Sequence, residues 1–283
     1  MLVEIKRVLW FEPLRIKANP VAILAVSLAM LYFVIVGMNI GKNADDITTA
    51  VGAIDGAKQQ RPELGMFGSV IDDTLNSAPL MVMRNESPLL GLFFLFMVWA
   101  TPFFAMLMAS DQVASELGRK HIRFLLPRVS RRGLFVGRAL GAWLTWTLLI
   151  AVVCAIASQA FTLIGPNENA TTNLMLALRM VVMLSIYSLP FVALMAFWNS
   201  FITNSFLSYL LAFSVWMVIA AVSTVGSWAN PAIANARFLM PTAVKYSIMS
   251  SDPGTLVAGG LGAVIYAAVF FGLGFWIFQS RDV

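Results

Sequence analysis

The stretch "PLLGLFFLFMVWATPFFAMLMAS", residues 88–110, contains no charged side chain. A bilayer core is about 30 Å thick, and a helix of roughly 20 apolar residues can cross it. Comparable stretches recur near residues 20–40, 134–164, 174–198, 206–225 and 255–278. Because these apolar runs are continuous rather than alternating, they indicate helices and not barrel strands. The sequence therefore predicts an all-α polytopic membrane protein, in which six transmembrane helices form a single domain over residues 1–283.

The overall composition agrees with a membrane environment. Of the 283 residues, 59% are hydrophobic and only 12% are charged, which is about half the charged fraction of a typical soluble domain. The formal net charge is +5. In a membrane protein the position of basic residues matters more than their sum, so this charge is not interpreted as a nucleic-acid-binding signal.

The distribution of basic residues predicts the orientation. The segment before the first span carries Lys6, Arg7, Arg15 and Lys17, and seven lysines and arginines lie between residues 119 and 138. The connection 165–173 has none. The positive-inside rule then places both termini and the loop 111–133 in the cytosol, and leaves residues 41–87 as an extracytoplasmic loop. We expect a multi-pass protein of the bacterial cytoplasmic (inner) membrane.

The N-terminal segment "MLVEIKRVLWFE", residues 1–12, favours an interfacial helix over a frayed tail. Leu2, Ile5 and Leu9 share one face, and Pro13 would end the helix. No A-x-A-like cleavage site follows the first span, so we expect a retained anchor and not a cleaved signal peptide.

The loop between the second and third spans contains "SELGRKHIRFLLPRVSRRG", residues 115–133. Its first part, residues 114–126, has an apolar side and a polar side, and Glu116 and Lys120 form a favourable i, i+4 pair. Pro127 would end this amphipathic helix, and Ser130 can cap the next one. On physical grounds alone, docking of a cytosolic partner and attraction to anionic lipid are equally good interpretations.

Three glycines follow this loop at a spacing of four residues, namely Gly133, Gly137 and Gly141. They form one small-residue face of the third span, and such faces allow helices to approach closely. The face predicts helix packing, either within the monomer or between subunits.

Signatures of catalysis and cofactor binding are missing from the sequence. One histidine and one cysteine are too few for a nitrogen and sulfur zinc site, and no G-x-S-x-G nucleophile elbow occurs. The stretch "GAIDGAKQQ", residues 52–60, lacks the spacing and the preceding strand of a phosphate-binding loop. Methionine pairs such as Met81/Met83 and Met106/Met108 allow a copper hypothesis, but gap-filling between helices explains them better. We expect a non-catalytic chain without its own cofactor or metal.

The loop resembles the cytosolic loop of type-2 ABC exporter permeases, the ABC-2 family. The resemblance is carried by Ser115-Glu116, Phe124-Leu125-Leu126, Val129-Ser130-Arg131 and Gly137-Arg138, and by the C-terminal "FQSRDV", residues 278–283. Two features depart from the family pattern: Lys120-His121 replace a common Gly-Thr, and Pro127 precedes Arg128 rather than Val129.

This resemblance implies a coupling helix that sits in a groove of a separate ATP-binding subunit. Two permeases, either identical or paralogous, would assemble with two ATPases, and the ATPases would bind the ATP and magnesium. Short helices between the fifth and sixth spans would dip into the outer leaflet. The residues implied to face the ATPase are Glu116, Arg119, Lys120, Arg123, Ser130 and Arg131.

The spans contain few charged residues, and this bears on the substrate. Arg179 lies inside the fourth span, where snorkelling to the headgroups explains it best, and no acidic relay for protons is visible. A mostly apolar pathway favours export of a lipophilic or amphipathic substrate. The alternative is a stand-alone secondary carrier, or a scaffold whose basic loop binds anionic lipid.

Overall fold

The computed structural model describes residues 20–49, 87–111, 130–165, 169–229, 235–236, 238–248, 250 and 252–280. The predicted interfacial helix 1–12, most of the loop 41–87 and the predicted coupling helix lie outside these residues. The described residues include both ends of the basic loop. The loop leaves the bundle at Asp111 and rejoins it at Ser130.

Within the described residues the chain is all helical, as predicted. The helices are α1 (Pro20–Lys42), α2 (Pro88–Ala109), α3 (Arg131–Ile164), α4 (Ala170–Asn199), α5 (Ser205–Ala229), α6 (Lys245–Ile248) and α7 (Pro253–Ser280). All except the short α6 contain a segment long and apolar enough to cross a membrane. This confirms the prediction of a six-helix membrane protein.

The long helices α2 and α4 begin at residues whose side chains cap them. Ser87 Oγ accepts a hydrogen bond from the backbone N–H of Leu90 at 3.2 Å, and Asn169 Oδ1 accepts one from Thr171 at 3.0 Å. Such caps satisfy N–H groups that have no partner inside the helix. Each cap fixes where the chain enters a helix.

Helix α4 is the centre of the bundle. It packs against α2, α3 and α7, and over a shorter length against α5, while α1 packs mainly against α2. Most of α2 and α4 is therefore buried, whereas α1, α5 and α7 keep large apolar side chains on the outside, such as Leu31, Val218 and Trp276. These outer faces are suited to contact with lipid or with a second subunit.

A very close helix contact lies near the C-terminal ends of α4 and α7. A methyl group added at Gly274 would lie 2.8 Å from the Cα atom of Phe197 and 3.2 Å from the carbonyl carbon of Ala196. Because those atoms belong to the backbone of α4, no side chain can move aside to make room. Glycine is therefore required for this approach of the two helices.

The described residues between α5 and α7 lie along the first half of α7. The hydroxyl of Tyr266 donates a hydrogen bond to the carbonyl of Phe238, and Gly259 lies directly against the backbone of α6. At 1.5 Å per residue, Tyr266 is about 20 Å along α7 from Pro253. The segment contains a 3₁₀ turn, Pro241–Val244, and α6, so short helices are present where the family resemblance implied them.

Candidate functional site

The candidate site is the end of the bundle from which the basic loop departs, which we call the loop end. Among the residues predicted to face an ATPase, Ser130 and Arg131 lie in the described part of the chain. The other four, Glu116, Arg119, Lys120 and Arg123, lie outside it, and their role stays a prediction.

Ser130 occupies the N-cap position of α3, as the sequence predicted. Its Oγ atom accepts a hydrogen bond from the backbone N–H of Gly133 at 3.1 Å. The next residue, Arg131, donates from Nη1 to the carbonyl oxygen of Gln279 at 3.4 Å. A cation at the C-terminal end of α7 is favourably placed with respect to the helix dipole. The end of the loop is thereby connected to the last turn of α7.

Asp111, at the other end of the loop, is connected to α5. Its Oδ1 atom accepts a hydrogen bond of 2.5 Å from the hydroxyl of Ser205, the first residue of that helix. Asp111 is only 8% exposed, and a hydroxyl bonded to a carboxylate is among the stronger hydrogen bonds. This partner belongs to a different span from the one that Asp111 follows.

Two further residues tie α4 to its neighbours at the same end. The side chain of Asn199, which is fully buried, donates from Nδ2 to the carbonyl of Ala109 at 3.0 Å. It also accepts from the hydroxyl of Ser208 at 2.6 Å. The hydroxyl of Ser200 lies 2.8 Å from the carbonyl oxygen of Gly274. These bonds join the ends of α2, α5 and α7 to α4.

We call these polar residues the root network, because they surround the two roots of the loop. Its members are Asp111, Arg131, Asn199, Ser200, Ser205 and Ser208. They connect α2, α3, α4, α5 and α7, which are five of the spanning helices. Asp111, Asn199, Ser200 and Ser208 are buried. Buried polar groups in an apolar bundle are costly to separate from their partners, so these contacts hold the helix ends together.

Most of the root network could not be recognised from the sequence. The stretch "WNSFITNSFLS", residues 198–208, is uncharged and gives no information about orientation. Its asparagines and serines, placed where two apolar helices meet, are the sequence signal for polar contacts between helix ends. Their partners at 109, 111 and 274 are distant in the sequence, so the fold is needed to identify the pairs.

The three glycines of the predicted packing face lie on α3. Gly133, Gly137 and Gly141 are all buried within the single chain. The face they form is therefore covered by the same protomer, and their specific role in packing stays a prediction.

The short helix α6 begins with a buried lysine that lies beside the middle of α2. Lys245 is 8% exposed, and its Nζ atom lies 3.7 Å from the centre of the Trp99 ring. Burial lowers the pKa of Lys245 to about 8, while the aromatic ring attracts the charged form. Over the described ranges no cluster of three or more histidine, cysteine or acidic residues is placed to hold a metal.

Comparison with known proteins assigns the family. The family model described as "ABC-2 family transporter protein" matches residues 19–283, which include every described helix, the whole basic loop and the root network. Among individually curated proteins no relative matches the sequence. The matched family forms the membrane part of ABC transporters, and its members are generally non-catalytic subunits that work with a partner ATPase. The chain therefore belongs to the ABC-2 family and is a multi-pass permease subunit of an ABC transporter.

Proposed function

We propose that this permease couples ATP hydrolysis by a separate cytosolic ATPase to the export of a lipophilic or amphipathic substrate. The chain itself is non-catalytic, and ATP and magnesium are bound by the ATPase. The loop 111–133 and both termini face the cytosol of a bacterial cell, with the protein in the inner membrane. A second permease, identical or paralogous, completes the transporter.

The root network is the observation that carries this proposal. The loop leaves α2 at Asp111 and enters α3 at Ser130, and both roots are bonded to other spans. Asp111 accepts a hydrogen bond from Ser205 on α5, and Arg131 donates one to Gln279 on α7. A force applied to the loop by a closing ATPase would therefore act on several helices together. An anchor that only holds lipid would not require such connections.

The loop itself supplies the predicted contact with the ATPase. Its six assigned residues combine one carboxylate, one hydroxyl and four cations, a set suited to charged hydrogen bonds across a protein interface. In this proposal Glu116 and Arg123 lie on the ATPase-facing side of the coupling helix, and Ser130 fixes the start of α3 behind it.

The apolar character of the bundle supports a lipophilic or amphipathic substrate. The described spans bury mainly Leu, Phe, Met and Ala. A charged side chain at bilayer depth costs a few kcal/mol and normally faces protein or water. Arg138 and Arg179 are the charged residues that lie more than one turn inside the described spanning helices. A strongly hydrophilic substrate would find few partners along these helices.

The test begins with a candidate ABC ATPase, sought among the genes that neighbour the one for this chain. It is co-expressed with the chain, and the complex is purified in lipid nanodiscs. The double variant Glu116→Ala/Arg123→Ala should keep the complex folded while losing coupling between substrate and ATP hydrolysis. Asp111→Asn and Ser205→Ala should weaken coupling less, because they affect only one root. A double variant that hydrolyses ATP with full substrate stimulation would contradict the assignment.

A control exists at the opposite end of the bundle, although Asp252 is exposed and Asp111 is buried. Asp252 accepts hydrogen bonds from the hydroxyl of Thr255 at 2.6 Å and from its N–H at 2.8 Å, so it is also an aspartate bonded to a hydroxyl at a helix start. Asp252→Asn should leave coupling unchanged. If it reduces coupling as much as Asp111→Asn does, the effect is general destabilisation and not transmission through the root network. Transport driven by an ion gradient without any ATPase would favour a secondary carrier instead.

A further inference from the structure

A groove on the outer surface of the bundle runs between α4, α6 and α7. Its cavity volume is ≈ 550 Å³, and several of its apolar side chains are more than half exposed, including Leu178, Val182 and Leu261. The floor and walls are formed by aliphatic residues and one charged residue, Arg179. The main aliphatic residues are Leu178, Val182, Ile186, Ile248, Leu261 and Val264.

Arg179 lies near one end of this groove, where only Met175 and Leu178 precede it on α4. It is about 14 Å along α4 from Ala170. Side chains of a helix generally lean towards its N-terminus, and the start of α4 is polar, with Asn169 and Asn173. The Nη2 atom of Arg179 donates to the carbonyl oxygen of Ser250 at 3.3 Å, which holds the guanidinium against the connection before α7.

The apolar part of the groove extends from Arg179 towards the middle of the bundle. Val182 and Ile186 follow on α4, and Gly260 and Val264 follow on α7. Gly260 has nothing within 4 Å of the position that a Cβ atom would occupy, so the trough is open there. The groove thus has a cationic end near the polar surface and an aliphatic channel beneath it.

Two other grooves of the described surface lack this charge. The groove between α1 and α3 has a volume of ≈ 260 Å³, and the groove between α3, α4 and α7 has a volume of ≈ 320 Å³. The described residues that line them include no charged side chain. All three grooves can accept acyl chains, but among them the Arg179 groove alone offers charge complementarity to an anion.

We propose that the Arg179 groove binds an anionic glycerophospholipid of the bilayer, with its phosphate on the guanidinium and one acyl chain in the aliphatic channel. Guanidinium groups match the geometry of phosphate oxygens and bind them with charge-assisted hydrogen bonds. The lipid is a resident of the protein and not its cargo. Its binding therefore does not require ATP or the ATPase, and this site stands independently of the proposed function.

The experiment uses the purified full chain in nanodiscs that contain phosphatidylglycerol and phosphatidylcholine in equal parts. In one sample a trace of the phosphatidylglycerol carries a photoreactive diazirine on its acyl chain, and in a second sample the phosphatidylcholine carries it. After irradiation, labelled peptides are identified by mass spectrometry. We expect α4 and α7 peptides around Val182 and Leu261 to be labelled roughly fivefold more by phosphatidylglycerol, from the attraction of one basic residue near the surface.

Two variants separate the headgroup contact from the acyl-chain contact. Arg179→Gln should bring the labelling ratio of the two lipids close to one without emptying the groove. Gly260→Leu should fill the open trough and reduce labelling by both lipids. Gly37→Leu is the matched control, because Gly37 lines the uncharged groove and also has nothing within 4 Å of a Cβ position.

Each outcome either supports or overturns the lipid site. A fivefold preference that disappears in Arg179→Gln but persists in Gly37→Leu supports the proposal. Equal labelling by both lipids in the wild-type chain would overturn it, as would a preference that survives Arg179→Gln. If Gly260→Leu leaves labelling of the α4 and α7 peptides unchanged, the acyl chain does not occupy this groove and the proposal is wrong.

Discussion

Replacing Gly274 by alanine perturbs the tight contact between α4 and α7. The added methyl group would lie 2.8 Å from the Cα atom and 3.0 Å from the backbone nitrogen of Phe197 on α4. Neither atom can move unless the helix moves, so α4 and α7 must separate by several tenths of an ångström. That shift also strains the 2.8 Å hydrogen bond between the hydroxyl of Ser200 and the carbonyl of residue 274.

The size of the effect follows from two opposing contributions. Overpacking a tight contact costs about 1–3 kcal/mol, whereas alanine is favoured over glycine in a helix interior by roughly 0.5–1 kcal/mol. Gly272 lies two residues earlier in α7 and has nothing within 4 Å of a Cβ position. Gly272→Ala therefore gains the helix preference without the overpacking. The difference between the two variants isolates the steric contribution, at about 1–3 kcal/mol.

The assay is reversible unfolding of the full chain in mixed detergent micelles, with the wild type and both variants measured side by side. We expect Gly272→Ala to be slightly more stable than the wild type and Gly274→Ala to be less stable. If the two variants have equal stability, α4 and α7 do not approach each other as closely as described. Helix α7 would then lack the contact through which Ser200 joins it to the root network.

Three further predictions concern other parts of the bundle. Burial holds the pKa of Lys245 at about 8, below its ordinary 10.5, so the unfolded chain binds more protons between these values and stability rises with pH across that window. Lys245→Met should remove this rise in stability with pH. It should also stabilise the protein at neutral pH by on the order of 1–3 kcal/mol, a range that allows for the attraction of Trp99 for the charged form. An unchanged pH dependence of the unfolding temperature would contradict this prediction. At Gly259 a Cβ atom would lie 2.6 Å from a backbone nitrogen of α6, whereas at Gly260 it would meet nothing within 4 Å. Gly259→Ala should therefore be about 1–3 kcal/mol less stable than Gly260→Ala in the same unfolding assay. Equal stabilities of the two variants would refute the contact. Ser130→Ala should lower the free energy of unfolding by about 1 kcal/mol because the α3 cap is lost, and Ser130→Asp should restore most of that stability. An alanine variant as stable as the wild type would show that the cap is absent.

The sequence predicts the spans well because each one is set by a local property, its run of apolar residues. The ends of the helices differ from those of the apolar runs. Helix α4 begins at Ala170, ahead of the predicted span at 174, because Asn169 caps it and polar residues are compatible with a helix outside the bilayer core. The helix cap at Ser130 could likewise be predicted from the local sequence.

The contacts between helices could not be predicted in the same way. Asn199 and Ala109 are 90 residues apart in the chain, and nothing in either stretch shows that α2 and α4 end at the same level. In the sequence, Lys245 lies in the connection between the fifth and sixth spans. Its position over Trp99 depends on how far along α7 the residues of that connection pack. Such pairs are determined by tertiary packing, which hydrophobic periodicity does not encode.

The proposed function depends above all on the basic loop being a cytosolic lever held by an ATPase. A labelling measurement tests this with a single cysteine in the loop, as Arg123→Cys in a Cys154→Ala background, since Cys154 is the only cysteine of the chain. A membrane-impermeant maleimide is applied to intact cells and to inverted membrane vesicles, with and without the co-expressed ATPase. We expect labelling only in inverted vesicles, with protection when the ATPase is present. Labelling of intact cells, or labelling that the ATPase does not reduce, would contradict the cytosolic lever.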